Sequence, residues 1–288
     1  MNSQRAYPKS FSFELFPPKT EAAELALKNT VAQLRQINPS YCSVTFGAGG
    51  STREKTFETV VSIQEGMGIA CAPHISCIAS TRSYIREMLD AYREQGIKRI
   101  VALRGDMPSG MLTTGELRYA NELVEFIRQE TGNDFHVEVA GYPEVHPQAA
   151  NAEKDLLNFK RKVEAGADSA ITQYFYNAEA YFRFIDDCEK QNINIPIVPG
   201  IMPITNYTQL ARFSELCGAD IPRWIRKRLE VFGDDRVTIR TFGIDVVSKL
   251  CRRLLEQGAP GLHFYTLNQS DATLAIWHNL GLHGNNPA

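Results

Sequence analysis

The sequence lacks any apolar run long enough to span a bilayer, and its opening MNSQRAYPKSFSFE has no apolar core of signal-peptide length. It therefore reads as a cytoplasmic protein. Excess charge of either sign is also missing: 31 Lys and Arg stand against 33 Asp and Glu, a net charge of −2, so neither nucleic acid nor an anionic membrane surface is an expected partner. The six cysteines (Cys42, Cys71, Cys77, Cys188, Cys217, Cys251) include no CxxC pair and no Cys/His cluster at zinc spacing. They read as small hydrophobes in a reducing compartment. No GxGxxG, HExxH or HxH is present. A Rossmann dinucleotide site and the common zinc-hydrolase arrangements thereby lose their usual signatures, and no metal is expected.

What is present is an alternation. Apolar runs of strand length at 11–16, 41–46, 70–75, 99–103, 136–140, 169–172, 195–198 and 262–265 are separated by stretches with apolar residues three and four apart. Leu123, Val124, Phe126 and Ile127 form one such stripe, and Val246, Val247, Leu250, Leu254 and Leu255 another. Eight strand-helix repeats with short connections predict an α/β fold, a (β/α)8 TIM barrel, as a single domain over residues 1–288. Extra helical material around 213–241 separates strands seven and eight. No low-complexity linker marks a second domain.

A barrel of this kind builds its active site at the carboxyl ends of its strands. Those ends carry Glu14, Thr45, His74, Arg104 with Asp106, Tyr142 with His146, Gln173, the Pro199-Gly200 turn, and Tyr265 with Asn268. A full ring of groups that ionise or hydrogen-bond points to one site at the barrel mouth.

Single residues leave alternatives open. Glu14 sits in Phe13-Glu-Leu-Phe-Pro-Pro; a carboxyl among apolar neighbours has its charged form disfavoured, which suits a general acid. Strand alternation also allows it on the outer face against a helix. His74 and His146 each flank a proline and read as metal ligands, bases or hydrogen-bonding walls, with no HxH or HExxH spacing to support the first. The Gly47-Ala-Gly-Gly-Ser segment has no following Lys and reads as a loop that lets backbone approach a ligand. Arg161 and Lys162 form a solvated helix face or meet a diphosphate at the rim. The basic run at 223–228 reads as surface.

Nine segments, taken together and in order, resemble bacterial-type 5,10-methylenetetrahydrofolate reductases: Phe13-Glu-Leu-Phe-Pro-Pro-Lys, Ser43-Val-Thr-Phe-Gly-Ala, Pro73-His-Ile, Ala102-Leu-Arg-Gly-Asp, Gly141-Tyr-Pro-Glu-Val-His-Pro, Lys160-Arg-Lys with Ala165-Gly-Ala, Ile171-Thr-Gln-Tyr-Phe, Pro199-Gly-Ile-Met-Pro and His263-Phe-Tyr-Thr-Leu-Asn. The resemblance covers essentially the whole chain. It implies an FAD-dependent barrel that takes a hydride from NADH or NADPH and passes it to methylenetetrahydrofolate by a ping-pong route, supplying methyl groups for methionine synthesis. Glu14 would be the acid that opens the folate's five-membered ring, and Asp106 would tune the flavin. FAD would be held by Thr45, His74, Arg104, Gly105, Asp106, Tyr119, Tyr142, His146, Asp155, Asn158, Arg161 and Lys162. Gln173, Gln209 and Phe213 would form the pocket shared by NADH and folate.

The resemblance also implies a homo-oligomer, dimer or tetramer. One departure stands out: Gln269 occupies a position where some members carry an Arg that contacts the folate, and a neutral amide cannot make a charge-assisted bidentate pair. The chain ends at Ala288, so the C-terminal regulatory domain of the eukaryotic enzymes, and control by S-adenosylmethionine, are not expected. Two rivals remain: a metal-dependent hydrolase or lyase using His74, His146, Asp106 and Glu14, and a folate- or flavin-binding protein without turnover.

Overall fold

The computed structural model describes residues 1–46, 50–106 and 115–282, with 50–53 by backbone only. The Gly47-Ala-Gly-Gly-Ser segment therefore lies largely outside the described residues. The chain opens with α1 (Asn2–Arg5), β1 (Ser10–Leu15), α2 (Glu21–Arg35) and β2 (Tyr41–Val44). It continues through α3 (Gly50–Met67), β3 (Cys71–Ser76), α4 (Arg82–Glu94) and β4 (Arg99–Leu103). Next come α5 (Ala120–Thr131), β5 (His136–Gly141), α6 (Ala152–Glu164), β6 (Ser169–Thr172) and α7 (Ala178–Lys190). β7 (Ile197–Val198) and β8 (Gly200–Ile201) lead into α8 (Tyr207–Cys217), α9 (Arg223–Phe232) and α10 (Arg236–Gln257), and the fold ends with β9 (Gly261–Tyr265) and α11 (Asp271–Asn279).

All strand pairs are parallel, in the order β7-β6-β5-β4-β3-β2-β1-β9-β8. Because β7 and β8 are consecutive segments on either side of Pro199, they form one stave that pairs with β6 on one side and β9 on the other. The sheet closes into an eight-stave TIM barrel. The interruption at Pro199 requires the glycine that follows it: a Cβ on Gly200 would lie 2.1 Å from the Thr172 carbonyl oxygen.

Strand alternation sorts the apolar residues into two layers. Phe11, Phe13 and Leu15 of β1 face outward into the large core between strands and helices, where Trp277 of α11 packs edge-on against Phe11 at 5.0 Å. Tyr41, Ala72, Val101 and Ile171, with Leu103 and Tyr265, form a separate inner layer. Burying each outward Phe or Leu contributes about 1.5–3 kcal/mol, so the alternation on β1 is strongly enforced. Ser12 and Glu14 are thus directed into the barrel. The helices start on side-chain caps: Thr20, Thr81, Asn151, Asn177, Asn206 and Asp235 each accept a first-turn N–H.

The extra helical material is α8 and α9 with the start of α10. The basic run lies on α9, where residues 223, 226, 227 and 228 are exposed while Ile225 and Leu229 are buried. No helix among the described residues is long and apolar enough to cross a membrane.

Candidate active site

The strand ends enclose a cavity of about 540 Å³ at the barrel mouth, within the usual range for a small-molecule site. Its apolar lining includes Val101, Leu103 and Ile171 of the inner layer together with Ala140, and its polar lining includes Glu14, Thr45, His74, Ser76, Asp106, Tyr142, Gln173 and Tyr265. Gly105 and Phe213 also line it. Helix α8 leans over one side with Phe213, Leu216 and Cys217, three positions on one helical face.

Glu14 is the most enclosed carboxylate of this lining, with 12% of its side chain exposed. The turn after β9 fixes its backbone: Thr266 Oγ1 donates to the Glu14 carbonyl at 2.6 Å, and Asn268 bonds both the N–H and the C=O of Phe16. Leu267 and Asn268 hold consecutive left-handed conformations at φ 52° and 57° to make that clamp. Glu14 Oε2 lies 3.5 Å from His74 Nε2 and 3.9 Å from His263 Nε2. Neither nitrogen makes a hydrogen bond among the described residues, to Glu14 included, and both rings are buried. His263 Nδ1 is 2.7 Å from Ser12 Oγ. In the tautomer where Nδ1 accepts from Ser12, Nε2–H is presented to Glu14. Burial lowers the His74 pKa below the ordinary histidine value, and the Glu14 charge only partly restores it.

At the end of β4 the chain turns through Gly105 at φ 83°, where a Cβ would lie 1.9 Å from Ser76 Oγ. That serine donates to the Arg104 carbonyl at 2.7 Å. The turn delivers Asp106, exposed, to the cavity edge. Arg104 lies outside the cavity lining; its guanidinium bonds the Gln148 side chain and the Gly105 carbonyl.

A second group of expected residues gathers on the β4–β5 rim. Tyr142 packs edge-on against His146 at 4.5 Å, and Asp155 accepts from the His146 N–H at 2.8 Å. Burial, then Asp106 and Asp155, push the Tyr142 phenol up to about 12, so it is a neutral donor at physiological pH. Lys162 donates to the Ala140 carbonyl at 2.5 Å, and desolvation lowers its pKa to about 8 against the opposing effect of Asp155. Asn158 and Arg161 are exposed and bonded to each other at 3.0 Å.

Tyr119, at the start of α5, is 57% exposed and outside the lining. Gln209 is exposed one turn before Phe213 on α8, and Gln269 is exposed in the turn after β9, its N–H bonded to the Thr266 carbonyl. Among the described residues no three His, Cys, Asp or Glu side chains come together as metal ligands, so His74, His146, Asp106 and Glu14 do not converge into such a set. Sequence reasoning missed Ser76, Tyr174, Met202 and Leu267 of the lining and the Ser12–His263 pair beneath it. Period-two spacing from Glu14 and Tyr265 was the available signal for the last two.

Residues 2–281 match the family model for methylenetetrahydrofolate reductase. The chain belongs to the methylenetetrahydrofolate reductase family. It is 40% identical over 272 residues to the 5,10-methylenetetrahydrofolate reductase of Escherichia coli strain K12, covering 94% of this chain and 90% of that protein. Identity to the reductase of Buchnera aphidicola from Schizaphis graminum is 42% over 271 residues, with 94% and 91% covered. Methylenetetrahydrofolate reductase (NADH) 1 of Arabidopsis thaliana is 37% identical, and this chain spans 48% of its length. A solved Clostridium thermocellum structure, described as an uncharacterized protein that binds two copies of 5-methyl-5,6,7,8-tetrahydrofolic acid, superposes with a TM-score of 0.63 at 17% identity over 98% of this chain and 96% of that one. That likeness concerns the barrel. The candidate site in this chain is the mouth cavity, where Glu14 is set against two buried imidazoles.

Proposed function

We propose that this methylenetetrahydrofolate reductase works with FAD as its resident cofactor and NADH as hydride donor, and that its product feeds methyl groups toward methionine synthesis. The observation that carries the reading is Glu14, held at the cavity wall with two unpartnered imidazole nitrogens directed at its carboxylate. The Arabidopsis relative carries NADH in its name, which supports NADH here over NADPH.

The residues fit a flavin. The cavity is lined in part by apolar side chains, the Gly105 turn admits no Cβ and lets backbone lie flat at the rim, and His74 Nε2 is a buried polar atom without a partner. Thr45, His74, Gly105, Asp106 and Tyr142 would hold the ring system, with Arg104, Tyr119, His146, Asp155, Asn158, Arg161 and Lys162 toward the remainder. When bound, FAD supplies hydride transfer, from NADH and then to the folate, in one shared pocket and hence by ping-pong kinetics.

Glu14 protonates N10 of the bridged folate, the N10–C bond breaks, and the resulting iminium carbon accepts the hydride. Positioned general acids of this kind contribute about 10²–10⁴ in rate. His263 faces the carboxylate left behind through Nε2, 3.9 Å away, while its Nδ1 is hydrogen-bonded to Ser12. Asp106 places a negative charge at the cavity edge, where it disfavours anionic reduced flavin. Gln173, Phe213 and Gln209 would hold whichever substrate is stacked in the pocket, and Gln269 would lie toward the folate tail. Assembly as a dimer or tetramer belongs to the same reading, and analytical ultracentrifugation measures it.

The deciding experiment is the visible spectrum of the purified protein with anaerobic additions. Flavin absorbance that bleaches with NADH and returns with methylenetetrahydrofolate supports both half-reactions. A protein that neither carries nor accepts FAD would overturn the reading.

A further inference from the structure

Each folate reduced consumes one proton, and Glu14 must be reloaded before the next. Reloading from the mouth has to occur past whatever fills the cavity. The barrel interior offers another route, because a line of polar side chains runs along its inner wall below Glu14.

Ser12, Tyr41 and His263 sit at one level, since Ser12 is the register partner of both Tyr41 on β2 and His263 on β9. Ser12 Oγ is 2.7 Å from His263 Nδ1, and Tyr41 is its neighbour in register on β2. Tyr41 crosses the barrel to donate to Glu138 Oε2 on β5 at 2.5 Å. Ser169, the register partner of Glu138, donates to Glu138 Oε1 at 3.0 Å, and its hydroxyl is 2.7 Å from His136 Nε2. Ser12, Tyr41, Glu138, Ser169 and His263 are each no more than 4% exposed, whereas His136, the first residue of β5, is partly open to solvent at the opposite end of the barrel.

We propose that this chain of groups, His136–Ser169–Glu138–Tyr41–Ser12–His263, carries protons from the amino-terminal face of the barrel to Glu14. The inference rests on the reductase reading above and adds the source of its proton. A proton taken up at His136 and passed through Ser169 to Glu138 aligns the donors in one direction. Glu138 then donates to Tyr41, Tyr41 to Ser12, Ser12 to His263 Nδ1, and His263 Nε2 to the Glu14 carboxylate. One proton enters from water and one reaches Glu14, so the balance is kept without any other reactant; rotation of the hydroxyls and the Glu138 carboxyl, with a half-turn of the His263 ring, resets the chain.

The charged surroundings suit transit. Arg99 lies 3.6 Å from Glu138 Oε1 and 4.4 Å above the Tyr41 ring. At the entry, Arg99 and Arg128 disfavour and Glu138 and Asp168 favour a proton on His136, whose pKa burial lowers, so it releases the proton inward readily. At the exit, His74 and Tyr265 are the other titratable groups facing Glu14. Burial raises the Tyr41 phenol well above its ordinary value, which keeps it a hydroxyl.

The test uses the FAD-loaded, NADH-reduced enzyme mixed anaerobically with methylenetetrahydrofolate in weak buffer with a pH-indicator dye. Flavin reoxidation and proton uptake are followed together, and steady-state turnover separately. For Tyr41→Phe the first reoxidation should stay within about twofold of wild type, because the first turnover draws on a proton already held in the site, while uptake and steady-state turnover fall about tenfold or more. His136→Gln, at the solvent-exposed end, should slow uptake in the same way and be rescued by added imidazole; it also serves if Tyr41→Phe does not fold. Wild-type uptake in the variants would overturn the path in favour of the mouth. Equal slowing of first reoxidation and uptake, without imidazole rescue, would reduce the chain to a packing network. Absence of flavin reoxidation in the wild type would instead overturn the reductase reading.

Discussion

Oε2 of Glu14 lies 3.5 Å from Nε2 of His74, and the two side chains are 12% and 7% exposed. Proximity alone would suggest an ion pair. Burial lowers the His74 pKa, however, and the interaction with Glu14 does not outweigh that loss of solvation. A neutral imidazole beside a carboxyl is a hydrogen-bonding wall, and it leaves the carboxyl free to exchange its proton with substrate.

Glu14→Gln keeps the shape of the side chain and removes the transferable proton. NADH-driven flavin reduction should remain within about threefold of wild type, while folate-driven reoxidation falls about 10²–10⁴. Stopped-flow traces of the two half-reactions check this. Equal loss of both would contradict the general-acid role.

Asp106→Asn removes the negative charge at the end of the Gly105 turn. The flavin midpoint potential should rise, because the anionic reduced form is no longer repelled, and hydride delivery to folate should slow. A contact between exposed charges is worth about 1 kcal/mol, or roughly 20 mV for a two-electron couple. Spectroelectrochemical titration measures the shift. An unchanged potential would sink the electrostatic role.

Stability should fall in acid for a reason that can be traced to histidines. Burial lowers His74, His136 and His146 below the ordinary value of 6.5 in the fold. As the pH drops below 6.5, the unfolded chain binds protons that the folded chain still refuses. Their contribution is therefore intact above that value and is lost progressively below it, down to the folded pKa values. Thermal unfolding from pH 8 to pH 5 should show a falling midpoint. His74→Gln should flatten the slope without abolishing it, since the other two act in the same direction.

The barrel and most of its mouth were legible in the sequence because both follow from short-range rules. Strand alternation reports which residues share a face, and strand ends locate the site, so Glu14, Thr45, His74, Asp106, Tyr142 and Gln173 could be named as one ring before their distances were known. The inward direction of Glu14 was not legible from its own segment, because it depends on Phe11, Phe13 and Leu15 winning the outer core. The pairing of Ser12 with His263 was hidden for a different reason. It joins β1 to β9 across 251 residues and exists only because the barrel closes. Division of the seventh stave at Pro199 depends likewise on which neighbour each half meets.

Gly105→Ala tests whether the β4 turn positions the site or merely ends a strand. The residue has φ 83°, which costs an L side chain about 1–3 kcal/mol. Its Cβ would also meet Ser76 Oγ at 1.9 Å, and Ser76 cannot simply swing away without losing its 2.7 Å bond to the Arg104 carbonyl. The turn should therefore shift, taking Asp106 with it. We expect a melting temperature lower by several degrees and loss of most bound flavin. The double variant Ser76→Ala with Gly105→Ala removes the oxygen clash but not the backbone strain. It should recover flavin binding more than it recovers stability, a non-additive pair that residues in contact produce. Additive losses in calorimetry and flavin content would mean the two positions act independently, and the turn would then be no more than a strand terminus.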